Sequence, residues 1–284
     1  MCGRYTTVTR IKAIEKRFNV KTEKPDLYVP NTNISHGNFA PVITNDRPEE
    51  LQFFQFGFTP HWAKKPAYMI NARAEGDFNK EDNPSYTGSM GIINKPMFRQ
   101  SIRSKRCLVI ADCFIEGPKK ERLNKPYVLY LKDGMRPFAF AGIWDEWVNK
   151  ETGEVLNSYA IITTVSNDLT QKIGHHRSPV IIPKEYEKEW ISNDTGLSEV
   201  TQLLKPYPAT FMNAYPIPPT IKSPLAEGPE LLKPIGERIY KEYDYEIYQE
   251  IKLEGMGSTS ARIRKNEDTL PPIVGPEGIQ GELF

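Results

Sequence analysis

The residue types at the N-terminus could do chemistry that no internal residue can do. Cys2 follows Met1, and because methionine aminopeptidases accept small second residues, the mature chain is expected to begin with cysteine. The α-amine and the thiol have ordinary pKa values of about 8 and about 8.5, so both nucleophilic forms are accessible near neutral pH. An aldehyde would form a Schiff base with the amine, and the thiol would then close a five-membered thiazolidine. Position alone favours the simpler alternative, in which Cys2 packs as a small apolar residue.

The other two cysteines are expected to pack rather than to react. Cys107 and Cys113 lie in one apolar segment and, on a simple alternation, on the same side of a strand. Three irregularly spaced cysteines in 284 residues fit neither a disulfide framework nor a zinc site, and a reducing cytosol would keep them as thiols. We therefore expect these two cysteines to pack, and the thiazolidine chemistry of Cys2 would need neither a metal nor an organic cofactor.

The composition is that of an ordinary globular protein. Hydrophobic residues make up 39% and charged residues 26% of the chain. No apolar run approaches the roughly 20 residues that span a bilayer, and no basic stretch followed by an apolar one marks a secretory signal. We expect a cytoplasmic protein that does not enter a membrane.

The net charge of +1 argues against a protein that coats nucleic acid by bulk electrostatics, but it leaves room for a local basic groove. The densest basic run precedes an apolar strand and consists of Arg99, Arg103, Lys105 and Arg106. Such a run is also typical of a solvated helix face, so both interpretations stay open.

Apolar periodicity predicts a sheet-dominated domain with a few short helices. Aromatic and β-branched residues indicate strands at 39–44, 51–58, 107–115, 127–131, 138–144 and 159–164. The spacing of Ile11, Ile14 and Phe18 predicts a helix within residues 7–19, with threonines ahead of it that can cap. Further helices are expected at 167–173, 183–190 and 197–204. Strands without regular helix alternation indicate an α+β fold with a mixed, largely antiparallel, barrel-like sheet core and flanking short helices.

The chain is expected to contain one principal domain. Residues 1–220 carry the strand and helix patterns, residues 221–254 form a partly helical extension, and residues 255–284 read as a flexible tail with few apolar residues. Within the domain, residues 79–95 are polar and predict a long surface loop.

Five blocks of sequence carry a family resemblance. They are MCGRYT at the start, FGFTPHWAKKP at 56–66, NARAEG at 71–76, FRQSIRSKRCLVIADCFIEG at 98–117 and GHHRSPVII at 174–182. In this order they resemble the SRAP (SOS response associated peptidase) family, whose members process abasic DNA sites. The resemblance covers roughly residues 1–215 and implies a single-stranded DNA substrate that contains an abasic site.

The resemblance implies a role for four residues in the chemistry. Cys2 would be the nucleophile that closes a thiazolidine on the abasic deoxyribose, and Asn71 would hydrogen-bond the adduct. Glu116 would move protons while the sugar ring opens, and His175 would assist the Schiff-base steps.

The resemblance also implies DNA contacts. Arg73 would grip a phosphate next to the lesion and Arg177 would contact the DNA backbone. Arginine is informative here because its planar fork matches phosphate geometry. Arg4 and Thr164 would make supporting polar contacts. Trp62 would line the DNA channel and stack on an unstacked base, with core packing as the alternative.

Physical arguments support two of these roles. Glu116 shares a parity with Leu108, Ile110 and Phe114 on a simple strand alternation, so it is expected to face apolar neighbours that raise its pKa. His175 lies beside Arg177, whose positive charge favours a neutral imidazole that can accept a proton. A solvent-exposed position is the alternative for each.

The last residues suggest a second partner. Gln280, Leu283 and Phe284 have the Q-x-x-L-F spacing of peptides that dock on the bacterial sliding clamp. The protein itself is expected to be a monomer.

Three other functions stay open at this point. An N-terminal nucleophile glutamine amidotransferase also begins MCG and uses its free α-amine as a base. A cysteine peptidase would pair Cys2 with His175, and the family resemblance itself implies limited self-removal of Met1. A non-catalytic single-strand binding module is the third, and the near-neutral charge fits it poorly.

Overall fold

The computed structural model describes residues 2–242, in which strands predominate. The strands are β1 (Tyr5–Thr7), β2 (Asn31–Ile34), β3 (Phe39–Thr44), β4 (Gln52–Phe56), β5 (Asn71–Arg73), β6 (Arg106–Ala111), β7 (Cys113–Glu116), β8 (Tyr127–Leu131), β9 (Phe138–Val148), β10 (Val155–Val165), β11 (Arg177–Pro179), β12 (Ile181–Ile182) and β13 (Met212–Pro216). The α-helices are α1 (Ile11–Phe18), α2 (Ser101–Ser104), α3 (Asp168–Lys172), α4 (Glu187–Ile191) and α5 (Leu197–Gln202). Short 3-10 helices lie at Pro25–Leu27, Gly91–Asn94, Arg122–Asn124, Lys184–Tyr186, Ala209–Phe211, Pro219–Lys222 and Pro229–Leu232.

Five strands close into a barrel. They pair in the order β10, β4, β3, β6 and β9, and β9 pairs again with β10, so the ring has no open edge. Alternate residues of these strands point inward, as the two-residue period of a strand requires, and their apolar side chains form the interior cluster. Outward residues pack beneath the helices in a second cluster. The predicted mixed, barrel-like α+β fold is confirmed.

A second sheet lies beside the barrel in the order β13, β8, β7, β1 and β2. The chain passes from the barrel to this sheet at Asp112, between β6 and β7. The buried Asp112 carboxylate accepts hydrogen bonds from the backbone nitrogens of Val8 and Thr9, at 2.6 and 2.9 Å, and is paired with Arg136 at 3.2 Å. It therefore ties the N-terminal strand to the junction of the two sheets.

The sequence predicted most elements but not this junction. The expected single strand at 107–115 is wrong, because Asp112 divides it into β6 and β7 in different sheets. The alternation is therefore broken: Leu108 and Ile110 face the outer cluster, whereas Phe114 faces the interior one. Cys107 and Cys113 are both buried, as predicted, but in different clusters.

The predicted short N-terminal helix is present as α1, but the expected threonine cap is wrong. Arg10 occupies the N-cap position without a side-chain hydrogen bond. Thr6 and Thr7 belong to β1. Their hydroxyls instead donate to the carbonyls of Thr32 and Ile110, each at 2.8 Å. The threonines therefore fasten the strand that carries the N-terminus.

The basic run at 99–106 is not a free groove. Arg106 is 1% exposed and donates to the backbone carbonyls of Trp190 and Ser192, while Lys105 pairs with Asp145. Arg103 donates to nearby carbonyls. These cations join α2 and α4 to the barrel.

The described part of the C-terminal extension packs on the second sheet. Ile221, Leu231 and Leu232 are buried against its outer face. The division of the chain at residue 220 stays a prediction. The tail at 255–284, with Gln280, Leu283 and Phe284, lies outside the described residues. Every helix within residues 2–242 falls short of the length and hydrophobicity that a membrane span requires.

We expect Asp112→Ala to lower the free energy of unfolding by about 3 kcal/mol, because it strands a buried arginine and two buried backbone donors. Urea denaturation of the purified protein measures this loss. The control Asp194→Ala removes an exposed carboxylate and is expected to change the free energy by less than about 0.5 kcal/mol. Equal effects of the two substitutions would contradict the anchoring role of Asp112.

Candidate active site

The position of Cys2 is set by strand pairing. β1 runs antiparallel to β7 with Tyr5 opposite Phe114, and the Ile115 nitrogen donates to the Arg4 carbonyl at 2.9 Å. Continuing this register brings the chain end toward Glu116. Cys2 is 1% exposed and belongs to the interior cluster at the end of the barrel.

Asn71 contacts Cys2 directly. It opens β5, which runs parallel to β10 with Asn71 opposite Ile161. Its side-chain nitrogen donates to the Cys2 carbonyl at 3.0 Å and to the Ile161 carbonyl at 3.4 Å. The side-chain oxygen is buried and accepts no hydrogen bond from a described residue. Asn71 therefore fixes the Cys2 backbone and keeps one acceptor for a ligand.

Glu116 and His175 form a buried acid–imidazole pair. The His175 Nε2 lies 3.4 Å from the Glu116 Oε2, and each side chain is 6% exposed. The His175 Nδ1 lies 2.6 Å from the Gly117 carbonyl, which can only accept, so Nδ1 carries a proton and Nε2 faces the carboxylate. Glu116 is buried as predicted, although the predicted alignment with Leu108 and Ile110 is wrong.

Glycines lie next to both members of this pair, where two loops pack closely against each other. A Cβ built on Gly117 would lie 1.8 Å from the Arg122 carbonyl oxygen. Gly174 has a φ of +78°, and its carbonyl accepts from the Lys119 nitrogen at 2.9 Å. These contacts dock the loop that bears His175 onto the loop that follows Glu116.

Burial dominates the pKa values at the site. It raises the pKa of the Cys2 thiol well above its ordinary value, and the negative charge of Glu116 raises it further. Burial lowers the pKa of His175, while Glu116 opposes this shift. The predicted neutral imidazole is confirmed in direction, but burial is the main cause and Arg177 is a minor one. The thiol and the imidazole are thus held neutral at pH 7.

A buried ion-pair network lies beside this pair. Arg177 is 3% exposed, and its Nη2 donates to the Glu75 Oε2 at 2.7 Å and to the Thr163 carbonyl at 2.9 Å. The Thr164 hydroxyl donates to the Glu75 Oε1 at 3.0 Å. Arg73 places its Nε 3.7 Å from the Glu75 Oε2. Glu75 thus orients both arginines that were predicted to meet DNA.

Two other residues with a predicted DNA contact, Trp62 and Arg4, are less buried than most of this network. Trp62 is 53% exposed, which rules out the alternative of core packing. Its neighbour His61 is held by the buried Asp145, through the backbone nitrogen at 2.8 Å and Nδ1 at 2.9 Å. Arg4 is half-buried and donates to the Lys222 carbonyl at 3.3 Å. All DNA-binding roles stay predictions.

Sequence reasoning missed two acidic residues of the site, Glu75 and Asp82. Glu75 lies in the NARAEG block two residues beyond Arg73, and a lone carboxylate between short apolar residues was the available signal. Asp82 lies in the polar loop at 79–95, where no periodicity marks a side chain as inward-facing. Among residues 2–242, no cluster of histidine, cysteine or carboxylate side chains is placed to hold a metal ion.

The fold and the site together define a class of protein: a mixed α+β domain that holds a cysteine at position 2 against an asparagine, an acid–imidazole pair and an arginine network. A family model described as SOS response associated peptidase (SRAP) matches residues 1–224. The chain belongs to the SRAP family.

Named relatives agree with this assignment. The abasic site processing protein YoqW of Bacillus subtilis is 35% identical over 240 residues, which cover 82% of this chain and 99% of that protein. The abasic site processing protein HMCES of Gallus gallus is 27% identical over 279 residues, covering 86% of this chain and 78% of its own.

A solved structure is similar over the same region. The crystal structure of a protein from Bacteroides thetaiotaomicron matches with a TM-score of 0.69 and 28% identity, and the match covers 82% of this chain and 99% of that one. The similarity in structure therefore extends over nearly all of the described residues.

We expect His176 to make stability depend on pH. Burial, and then the neighbouring His175, lowers the pKa of His176 from 6.5 to about 4. The unfolded chain therefore binds a proton between these pH values that the folded chain does not, so stability falls as the pH drops through this window. In His176→Gln this contribution is absent, and the fall is shallower. Urea unfolding at pH 7.5, 6 and 5 measures the difference, and parallel curves would contradict the assignment.

Proposed function

We propose that this protein forms a covalent thiazolidine crosslink with abasic sites in single-stranded DNA through Cys2, and so shields the lesion during repair. The observation that carries the proposal is the convergence of Asn71, Glu116 and His175 at Cys2. The relatives that are named abasic site processing proteins supply the substrate class. Removal of Met1 supplies the free α-amine.

The proposed reaction begins at the amine. Ring-opened abasic deoxyribose carries an aldehyde at C1′, to which the Cys2 α-amine adds, and loss of one water gives a Schiff base. The Cys2 Sγ then bonds to C1′ and the thiol proton passes to the nitrogen, which closes a ring of sulfur, Cβ, Cα, nitrogen and C1′. Because burial and Glu116 raise the pKa of the thiol, the sulfur stays protonated until this step.

Glu116 and His175 would move the protons. Opening of the sugar transfers a proton from the C1′ hydroxyl to the ring oxygen, and the Glu116 carboxylate would mediate this transfer. His175, whose Nδ1 is held by the Gly117 carbonyl, presents Nε2 as an acceptor for the proton that the amine loses on adding to C1′. Asn71 would hydrogen-bond the adduct through its unpaired oxygen.

The DNA strand would lie across the arginine network. Arg73 and Arg177 are proposed to bind phosphates and Trp62 to stack on a base, which its exposure supports. Arg177 already uses Nη2 on Glu75, so its Nη1 is the nitrogen left for a phosphate. Arg4 and Thr164 would act as supports, Thr164 by holding Glu75.

Secondary activities follow from the same chemistry. A Schiff base at C1′ acidifies the C2′ protons, so weak strand cleavage by β-elimination is part of the proposal. Self-removal of Met1 through Cys2 would give limited peptidase activity, as the family name suggests. The protein would act in the cytoplasm and at the nucleoid as part of the SOS response.

We expect a heat-stable shifted band on a denaturing gel when the protein is incubated with single-stranded DNA that contains one abasic site. Undamaged DNA and Cys2→Ala should give none, because both the aldehyde and the thiol are required. Cys107→Ala is the matched control, since Cys107 is a buried cysteine of the same interior cluster, and it should keep the band.

Intact-mass spectrometry decides how a negative result is interpreted. A missing band from protein whose mass shows that it begins at Cys2 would contradict the proposal and direct attention to glutamine hydrolysis. A missing band from protein that retains Met1 would require the assay to be repeated on processed protein.

We expect Glu116→Gln and His175→Gln to slow crosslinking by about 100-fold or more, the usual effect of losing a general acid–base group. Single-turnover rates from quenched gel samples measure this. Glu146→Gln is the control, because Glu146 is an exposed carboxylate on β9. Rates within about threefold of wild type in both site variants would remove proton transfer from the proposed roles.

A further inference from the structure

One carboxylate, Asp82, faces three cations and a histidine next to the site. Asp82, whose side chain is 12% exposed, places Oδ1 2.7 Å from the Arg73 Nη2 and 3.9 Å from the Arg177 Nη1. Its Oδ2 lies 3.3 Å from the Lys119 Nζ and 3.8 Å from the His176 Nε2. These four partners come from three separate segments of the chain, so Asp82 occupies the point at which the segments meet.

The donors at this point outnumber the acceptors that Asp82 supplies. The Arg177 Nη1, which lies 3.9 Å from the Asp82 Oδ1, is buried and has no hydrogen-bond partner among the described residues. A carboxylate holds its two oxygens in the plane of its carbon, whereas a DNA phosphodiester directs its two charged oxygens from a tetrahedral phosphorus. A phosphate can therefore meet a donor that the planar group leaves unpaired.

Few apolar residues hold the loop that carries Asp82. Asn79 is buried and pins the start of the loop, and residues 80–90 are exposed or partly exposed, with Asp82 among the partly exposed ones. Asp82 itself has a φ of +56°, a left-handed conformation that costs a non-glycine residue free energy. Because few apolar contacts hold this segment, its position depends on the polar contacts of Asn79 and Asp82 with Arg73, which a competing anion can replace.

We infer that Asp82 is an internal stand-in for a DNA phosphate, and that a phosphate of the bound strand displaces its carboxylate from Arg73, Arg177 and Lys119. This inference rests on the proposed function, since it concerns how the same site admits DNA. The need to displace this carboxylate lowers the affinity for any strand, because part of the binding free energy is used to open the site. Undamaged DNA is then bound weakly, and the crosslink retains the strand that carries an aldehyde.

The test is non-covalent binding of undamaged single-stranded DNA, which needs no reaction at Cys2. Fluorescence anisotropy with a labelled oligothymidine measures Kd for the wild type, Asp82→Asn, Asp82→Ser and Asp82→Glu. We expect the Asn and Ser variants to bind about threefold to tenfold more tightly, as expected for loss of one partly exposed ion pair, and the Glu variant to bind like wild type.

Asp77→Asn is the matched control. Asp77 lies two residues before this loop and its removal changes the net charge equally, but its partner is Lys95. It should leave the Kd unchanged. Circular dichroism confirms that each variant is folded, and either the Asn or the Ser variant suffices if the other is not.

Three results would overturn the inference. Binding by the Asn and Ser variants that equals or falls below wild type would mean that Asp82 supports the arginines rather than competing for them. Equal gains in Asp82→Asn and Asp77→Asn would reduce the effect to net charge. Absence of binding in every variant would overturn the inference as well.

The crosslinking assay separates failure of the proposed function. Wild-type protein that crosslinks abasic DNA while the Asp82 variants bind no better sinks this inference alone. Tighter binding by the Asp82 variants without any crosslink by processed wild type sinks the proposed chemistry and leaves the phosphate competition in place.

Discussion

The pairing of β1 with β7 is the constraint on which the rest of the site depends. A residue at a chain end has more freedom than any internal one, and that freedom must be removed before it can be aimed at a substrate. Three contacts remove this freedom within a few residues of the end. They are the pairing of Tyr5 with Phe114, the hydrogen bonds donated by the threonine hydroxyls of β1, and the hydrogen bonds that the Asp112 carboxylate accepts. Asn71 then fixes the Cys2 carbonyl from the barrel side.

Buried carboxylates give the site its electrostatic character. Glu75 is fully buried, and its charge is compensated by Arg177 and the Thr164 hydroxyl, so neither partner can leave without stranding a charge. This holds one edge of the Arg177 guanidinium in place and presents the other edge toward Asp82. Glu116, by contrast, lies beside His175, which is neutral. One carboxylate thus orients cations, and the other lies against an imidazole.

Local patterns predicted strands well where the strand is long enough to show its period. The predicted strand at 39–44 coincides with β3 of the barrel, and β8 of the second sheet matches its predicted bounds as well. The break at Asp112 could not be predicted from local patterns, because apolar residues continue on both sides of the point where the chain changes sheet. What divides the segment is the capture of Asp112 by the backbone of Val8 and Thr9, about a hundred residues earlier in the chain.

The sequence by itself determined the family, the α+β class and the residue types of the site, because these depend on short blocks and on local alternation. Only the tertiary structure decided that Glu116 meets His175 and that Thr164 and Arg177 are buried around Glu75. It also decided that Asp82, a loop residue, faces Arg177. The physical reason is that burial and charge compensation are properties of groups brought together from distant segments. A pattern along one strand or loop carries no record of what that strand or loop will face.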